Sequence, residues 1–168
     1  MQKNWMTIGQ GEYAFLSFDQ EVGTMHIERG TLERKAICQI GNDTFTIRRK
    51  GFWGTNLEVL DQQGIEVARL YAEKWFANHF KLEFEGKTYK IVVRNNPMAE
   101  YAIIEDNQVI LAYGLDTNEG SVVVRINSYL APEQRFFDFL LWYLFLPIAT
   151  ENMSDNLAFM MVLQSQAS

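Results

Sequence analysis

One segment near the end of the chain constrains the fold more than any other. From Phe136 to Leu146 the sequence contains a single polar residue, Asp138. A helix formed by this segment would be apolar on every side, and such a helix is either buried inside a protein or spans a membrane. The choice between these two settings decides the architecture of the whole chain.

The segment is too short and too polar at its borders for a membrane span. Pro132 fits the first helical turn, where its missing N–H costs little, and Glu133 suits the positive end of the helix dipole. Pro147 is expected to end or kink the helix. A helix over about residues 133–148 would be roughly 24 Å long, whereas a span needs about 20 apolar residues. We therefore predict a buried core helix and no transmembrane span.

The preceding residues alternate between apolar and polar side chains, as strands with one buried face do. In Thr44–Lys50, for example, Phe45 and Ile47 share one face. Polar and glycine-containing turns separate these segments. The predicted strands, over about residues 13–127, are Tyr13–Phe18, Val22–Ile27, Lys35–Ile40, Thr44–Lys50, Asn56–Leu60, Glu66–Ala72, Phe80–Glu85, Lys87–Arg94, Glu100–Glu105, Val109–Leu115 and Val122–Asn127, with Trp5–Ile8 as a further candidate.

The strands must supply the surroundings that the apolar helix needs. A barrel of about eight strands is filled by its own side chains, so a helix about 10 Å wide needs more strands around it. A strand of seven residues rises roughly 23 Å, which matches the helix. We predict one mainly β domain over residues 1–168: a closed antiparallel β-barrel of about 12 strands around a buried C-terminal hydrophobic helix. An apolar tail at 155–164, either a strand or a short packing helix, follows it.

Charge and cysteine content exclude several classes of function. The net charge is −6, which disfavours binding to the phosphate backbone of nucleic acids. Cys38 is the only cysteine, so the chain has neither an internal disulfide nor a cysteine-based zinc cluster. The N-terminal residues lack the apolar core of a signal peptide. These features predict a cytoplasmic protein.

The order of elements resembles the tubby C-terminal-like fold, which tubby proteins, phospholipid scramblases and the LURP-one-related family share. Similarity to the last group lies in Phe45–Lys50, in Leu57–Ala68 and in an aromatic stretch around Trp75. The hairpin Tyr101–Leu115 and the apolar helix then follow in the expected order. The resemblance covers about residues 13–150, and the family chain normally ends soon after the helix.

The resemblance implies a noncatalytic binding or scaffold module, because tubby proteins bind phosphoinositide headgroups through basic residues on the barrel surface. The densest basic cluster here is Arg48, Arg49 and Lys50. On a strand, Arg48 and Lys50 share one face and Arg49 lies on the other, with Lys35 or Lys74 as possible neighbours. The alternative is a solvated strand edge whose charges discourage aggregation. The implied partners are a phospholipid headgroup at a membrane surface or another protein.

Catalytic and metal-binding candidates are few. His26 and His79 do not occur in a metal-ligand spacing, and Cys38 lies in an alternating strand where a buried thiol acts as a small hydrophobe. We therefore predict no metal, no cofactor and no catalysis. Two rival hypotheses are a lipocalin-like carrier of a small apolar molecule, and an enzyme that uses Cys38 or a histidine at the barrel rim. Asp138, inside the apolar helix, must be paired or hydrogen-bonded because a bare buried carboxylate is very costly.

Overall fold

A computed structural model describes residues 3–28, 34–50, 56–72, 79–95 and 98–165. Within these ranges the chain forms twelve strands, a short 3₁₀ turn and one long helix, so the mainly β class is confirmed. Every predicted strand is present, including the first candidate. The elements are β1 Lys3–Gly9, β2 Glu12–Ser17, β3 Gln20–Glu28, β4 Lys35–Ile40, β5 Asp43–Lys50, β6 Asn56–Leu60, β7 Glu66–Tyr71, β8 His79–Phe84, β9 Lys87–Asn95, β10 Ala99–Glu105, β11 Gln108–Asn118, β12 Ser121–Ser128, the 3₁₀ turn Pro132–Gln134 and α1 Phe136–Ser165.

The strands form a single antiparallel sheet in chain order, with β1 and β12 at its two edges. The barrel is nearly closed, whereas the sequence predicted full closure. Side chains bridge the seam between the edges. Lys3 Nζ of β1 donates to Ser128 Oγ of β12 over 2.7 Å, and Trp5 Nε1 of β1 donates to the Tyr113 hydroxyl of β11 over 2.9 Å.

The meander gives the barrel two distinct ends. The turns after β2, β4, β6, β8 and β10 lie at one end, where α1 also begins, and we call this the entry end. Its two-residue turns use left-handed backbone, as at Glu85-Gly86 with φ of 49° and 73°. Such turns match the twist of paired strands. The turns after β1, β3, β5, β7, β9 and β11 lie at the opposite, exit end.

The barrel interior is occupied by α1, as the apolar sequence predicted. All residues from Phe136 to Tyr143 are buried, and so are Phe145, Leu146 and Ala149. Strand side chains pack their rings against the helix at both ends: the Phe84 and Phe136 centroids are 4.6 Å apart, and those of Tyr101 and Phe145 are 5.6 Å apart. Trp142 stacks on Trp5 at 5.3 Å with an interplanar angle of 6°.

The helix is longer than the sequence predicted, and the expected end near residue 148 is wrong. α1 continues through Pro147 to Ser165, so residues 155–164 belong to the same helix. Pro147 lies at an exposed position of α1. The Thr150 hydroxyl donates to the carbonyls of Leu146 and Pro147 over 2.9 and 3.0 Å in the turn after the proline. In the part of the chain that the structure describes, no helix combines the length and apolarity that crossing a membrane requires.

Asp138 has the partners that its burial demands. Its side chain is in the first turn of α1 and only 1% of the residue is exposed. Lys3 Nζ lies 2.8 Å from Oδ2, and the Tyr113 hydroxyl donates to Oδ1 over 3.1 Å. Burial raises the pKa of Asp138, and the charge and hydrogen bond of Lys3 oppose that rise. The pairing predicted from sequence is therefore confirmed, with Lys3 as the cation.

Replacing Leu141 with Asp tests whether the enclosed helix holds the fold together. Leu141 is fully buried in α1. An unpaired carboxylate there costs more than the roughly 5–15 kcal/mol by which most domains are stable. We expect Leu141→Asp to abolish soluble folding, as judged by expression yield and circular dichroism. Thr150→Asp, at an exposed position of the same helix, should remain folded. A soluble Leu141→Asp protein with unchanged melting would contradict the enclosed position of α1.

Gly23 of β3 tests the close approach of β3 to its neighbour β4 and to α1. A Cβ at this position would lie 2.1 Å from the Gln39 carbonyl oxygen and 3.0 Å from a ring carbon of Phe139. We expect Gly23→Ala to lower the unfolding free energy by roughly 1–3 kcal/mol, measured by urea denaturation, because the backbone must shift. The matched control is Gly114→Ala, whose Cβ would have no neighbour nearer than the Arg125 guanidinium at 3.4 Å. Equal effects of the two variants would show that the approach is not tight.

Candidate functional site

The basic cluster predicted from sequence lies at the exit end of β5, and its members face two directions. The inward-facing residue Ile47 is buried, so strand alternation places Arg48 and Lys50 on the outside and Arg49 on the inner face. All three side chains are exposed. The structure thus brings Arg48 and Lys50 together and separates Arg49 from them.

Glu58 of β6 links the two outward-facing cations. It is directly opposite Arg48 in the β5–β6 register, and only 3% of the residue is exposed. Arg48 Nε donates to Glu58 Oε1, and Lys50 Nζ lies 2.7 Å from Oε2. Hydrogen bonds, first from Lys50 and then from Arg48, lower the pKa of Glu58 against the effect of its burial. The same contact raises the pKa of Lys50.

This pair belongs to a row of outward-facing charged residues that crosses six strands, which we call the charged ladder. Each member is the register partner of the next. Ion pairs link Lys35 to Glu28 at 3.5 Å and Arg69 to Glu83 at 2.7 Å. Because the signs mostly alternate, the basic residues of the ladder are balanced by carboxylates. Its members are Glu28, Lys35, Arg48, Glu58, Arg69 and Glu83.

Lys35, one of the two lysines proposed as a neighbour of the cluster, is directly opposite Arg48 on β4. Lys74 and the aromatic stretch around Trp75 lie outside the described residues. A ligand phosphate at this surface would meet Arg48, Lys50 and Lys35, but it would compete with Glu58 for the first two. The arrangement can therefore bind an anion only by exchanging one set of charge-assisted hydrogen bonds for another.

Arg49 contacts the helix instead of the outer surface. Burial raises the pKa of the Tyr143 phenol of α1, and the positive charge of Arg49, followed by its hydrogen bond to the phenol, opposes that rise. The Tyr143 hydroxyl donates to the Arg34 carbonyl over 2.6 Å, and the Arg34 guanidinium lies 5.3 Å from the Tyr143 ring centre. Arg34 and Arg49 thus both contact Tyr143 at the exit end.

The residues considered for catalysis do not form a reactive arrangement. Cys38 is buried, and this burial raises the pKa of its thiol, so the nucleophilic thiolate does not form at neutral pH. His26 is half-exposed, with Nδ1 3.5 Å from a Glu12 carboxylate oxygen. His79 is at the start of β8 and is partly buried. Within the described ranges, no three His, Cys, Asp or Glu side chains are grouped so as to hold a metal ion.

Two depressions lie along the strands from β6 to β9. One shallow depression of about 330 Å³ lies along β7, β8 and the β8–β9 turn, between Glu66 and Lys87. A second, of about 300 Å³, is bordered by Asn56, Arg69 and Tyr71. The interior side of the same strands contributes Leu70, Leu82 and other buried residues to the contact with α1. The first depression also reaches Ala68 and Phe84, which belong to that buried contact.

Comparison of the chain with protein families, with curated proteins and with solved structures gave no match. The site is therefore interpreted from its own geometry.

Replacing Glu58 with Gln tests whether the charged ladder stabilises the fold. The lowered pKa of Glu58 means that its contribution is present above the ordinary value of 4.5 and is lost as the pH falls through its lower folded value. We expect Glu58→Gln to cost about 1 kcal/mol of unfolding free energy at neutral pH, with a smaller difference from wild type at pH 3. Urea denaturation at both pH values measures this.

The matched control is Glu85→Gln, which neutralises an exposed carboxylate in the β8–β9 turn. It should leave the unfolding free energy nearly unchanged. If Glu58→Gln is as stable as wild type at neutral pH, the ladder makes no net contribution and its charges are available to a ligand at no cost.

Proposed function

We propose that this protein is a noncatalytic binding or scaffold module of the tubby-like type, related to LURP-one-related proteins and phospholipid scramblases, and that it contacts its partner through the outer barrel surface. The observation that carries the proposal is the filled interior. The helix α1 occupies the barrel axis, and Phe137, Leu140 and Phe145 are fully buried against the wall. Because the helix fills the interior of the barrel, a binding partner would have to be recognised by the outer surface.

The fold supports the tubby-like part of the proposal. Twelve antiparallel strands in chain order enclose a C-terminal apolar helix, which is the arrangement that the sequence resemblance implies. Fold alone does not fix function, so the partner must be argued from surface chemistry. The surface offers two kinds of feature: balanced charge on the ladder, and exposed apolar side chains at the entry end.

A phospholipid headgroup is the first candidate partner. Its phosphate would lie over Arg48 and Lys50, with Lys35 beside them, because guanidinium and ammonium groups match phosphate in both charge and hydrogen bonding. Glu58 already engages the first two, so we expect weak binding that falls steeply with salt. Contact of this kind would place the protein at the periphery of a cytoplasmic membrane surface.

A protein is the second candidate partner, favoured by the exposed apolar residues. Phe18, Ile65 and Tyr129 are each more than half exposed. The carrier alternative has less support, because an apolar guest would have to displace side chains that pack on α1. The hypothesis of an enzyme that uses Cys38 has even less support, because the thiol is both buried and protonated.

Sedimentation with lipid vesicles tests the headgroup candidate. Vesicles of zwitterionic lipid with and without phosphoinositide are mixed with the protein at low and moderate salt. We expect phosphoinositide-dependent binding that Arg48→Ala with Lys50→Ala weakens about tenfold, which corresponds to a loss of about 1.4 kcal/mol.

The control double variant, Lys87→Ala with Lys90→Ala, removes the same charge from exposed positions on β9. It should bind vesicles like wild type if the site is local. Equal weakening in both double variants would indicate nonspecific attraction, and absence of binding by wild type would remove the headgroup candidate. Displacement of a fluorescent fatty acid by apolar ligands would instead support the carrier.

A further inference from the structure

The entry end carries exposed apolar residues whose side chains are not buried in the core. Phe18 follows β2, Val109 is near the start of β11, and Tyr129 follows β12. Phe18 is 64% exposed and Tyr129 is 77% exposed. Burying side chains of this size is a main source of stability in proteins, and these gain little of it.

These residues lie together at the seam of the barrel. Lys3 of β1 is the register partner of Ser17, the residue before Phe18. The Nζ of Lys3 also lies 2.7 Å from the Oγ of Ser128, the residue before Tyr129. Phe18 and Tyr129 therefore flank the same lysine. The backbone N–H of Tyr129 donates to the Ile110 carbonyl over 2.8 Å, which places Val109 next to it. We call Phe18, Val109 and Tyr129 the seam patch.

Phe18 is also held in an unfavourable backbone conformation. Its φ is 52° and that of Asp19 is 61°, so both central residues of the β2–β3 turn are left-handed. Such turns prefer Asn and Gly, and a bulky side chain in this region is strained. The other tight turn beside the patch uses Asp106-Asn107 with φ of 47° and 65°, which suits the conformation better. Phe18 is thus strained and exposed at once, a combination found where a residue serves an external contact.

The two turns that border the patch are acidic, because they carry Asp19 and Asp106. Asp43, Asp61 and Glu85 lie farther around the entry end, at or beside its other turns. Those turns contain no Lys or Arg. Of the cations at this end in the described ranges, Lys87 is 3.3 Å from Glu105, Lys3 is 2.8 Å from Asp138, and Arg135 is exposed just before α1. The carboxylates repel an anionic membrane and attract cations.

We propose that the seam patch docks a polypeptide segment that presents apolar side chains flanked by lysine or arginine. The apolar part would cover Phe18 and Tyr129, and the basic flanks would face Asp19 and Asp106. Aromatic anchors inside a polar rim are typical of protein interfaces. The inference rests on the proposed outer-surface function and names a partner class and a face for it.

Titration with designed peptides tests the proposal. The probe is an amphipathic helical peptide with a leucine face and a lysine face, and its counterpart has glutamate in place of lysine. We expect the lysine peptide to bind in the micromolar range, more weakly as salt rises, and the glutamate peptide not to bind. Phe18→Asn and Tyr129→Ser should each weaken binding about tenfold, as the loss of an aromatic anchor does.

Thermal melting separates recognition from a structural role. Asn suits the left-handed turn, so Phe18→Asn should raise the melting temperature by about 3 °C while it weakens binding. A structural role for Phe18 would lower it instead. The control variants are Ile65→Asn, at an exposed turn of the entry end far from the seam, and Ile8→Asn, at the exit end. Both should bind the lysine peptide like wild type.

Several outcomes would overturn the seam patch as the docking site: no binding by wild type, equal binding of both peptides, unchanged binding by Phe18→Asn and Tyr129→Ser, or a lower melting temperature for Phe18→Asn. Binding of zwitterionic or anionic vesicles that depends on Phe18 would replace the polypeptide with a membrane. Loss of binding in Ile8→Asn alone would move the site and leave an outer-surface function intact. Saturable uptake of a fluorescent fatty acid into the barrel would reject that function itself.

Discussion

The contact between Lys3 and Asp138 is the interaction on which the nearly closed form of this barrel depends. An apolar helix can enter the barrel without penalty, but its one carboxylate cannot, because an unpaired buried charge is very costly. The compensating cation comes from the first strand, 135 residues earlier in the chain. A buried ion pair is weak evidence for stability, yet it does select one arrangement of its elements. Here it requires β1, β12 and the start of α1 to meet, so the seam and the helix are positioned together.

Enclosure of α1 also limits where the protein can act. The space that a lipocalin-like barrel would offer to a ligand is taken by the rings of α1 and by Phe84, Tyr89 and Tyr101 of the wall. The outer wall then divides into two kinds of surface. The charged ladder pairs its cations with carboxylates, so any ligand there must compete for them. The seam patch has apolar groups exposed to water, and covering them needs no such exchange.

The local sequence pattern was sufficient to predict the strands and the helix, but it did not predict which side chains from distant parts of the chain contact each other. Alternation in β5 predicted that Arg48 and Lys50 share a face, and the apolar run predicted a buried helix. Glu58 could not be identified as the residue between the two cations, because that depends on the register of β5 with β6. Nor could Lys3 be assigned to Asp138 by spacing. The helix end was misplaced because Pro147 is a strong local stop signal, whereas α1 continues through it at an exposed position.

The two ends of the barrel differ in a way that favours the entry end for a basic partner. Thirty residues of helix extend roughly 45 Å, well beyond strands of about 20–30 Å, so α1 must project from one end. Burial of Ala149 followed by exposure of Thr150, Glu151 and Asn152 identifies that end as the exit. A partner approaching along the axis there meets the projecting helix. At the entry end the turns are short and acidic and the seam patch is uncovered, so a basic apolar segment finds both access and complementary charge.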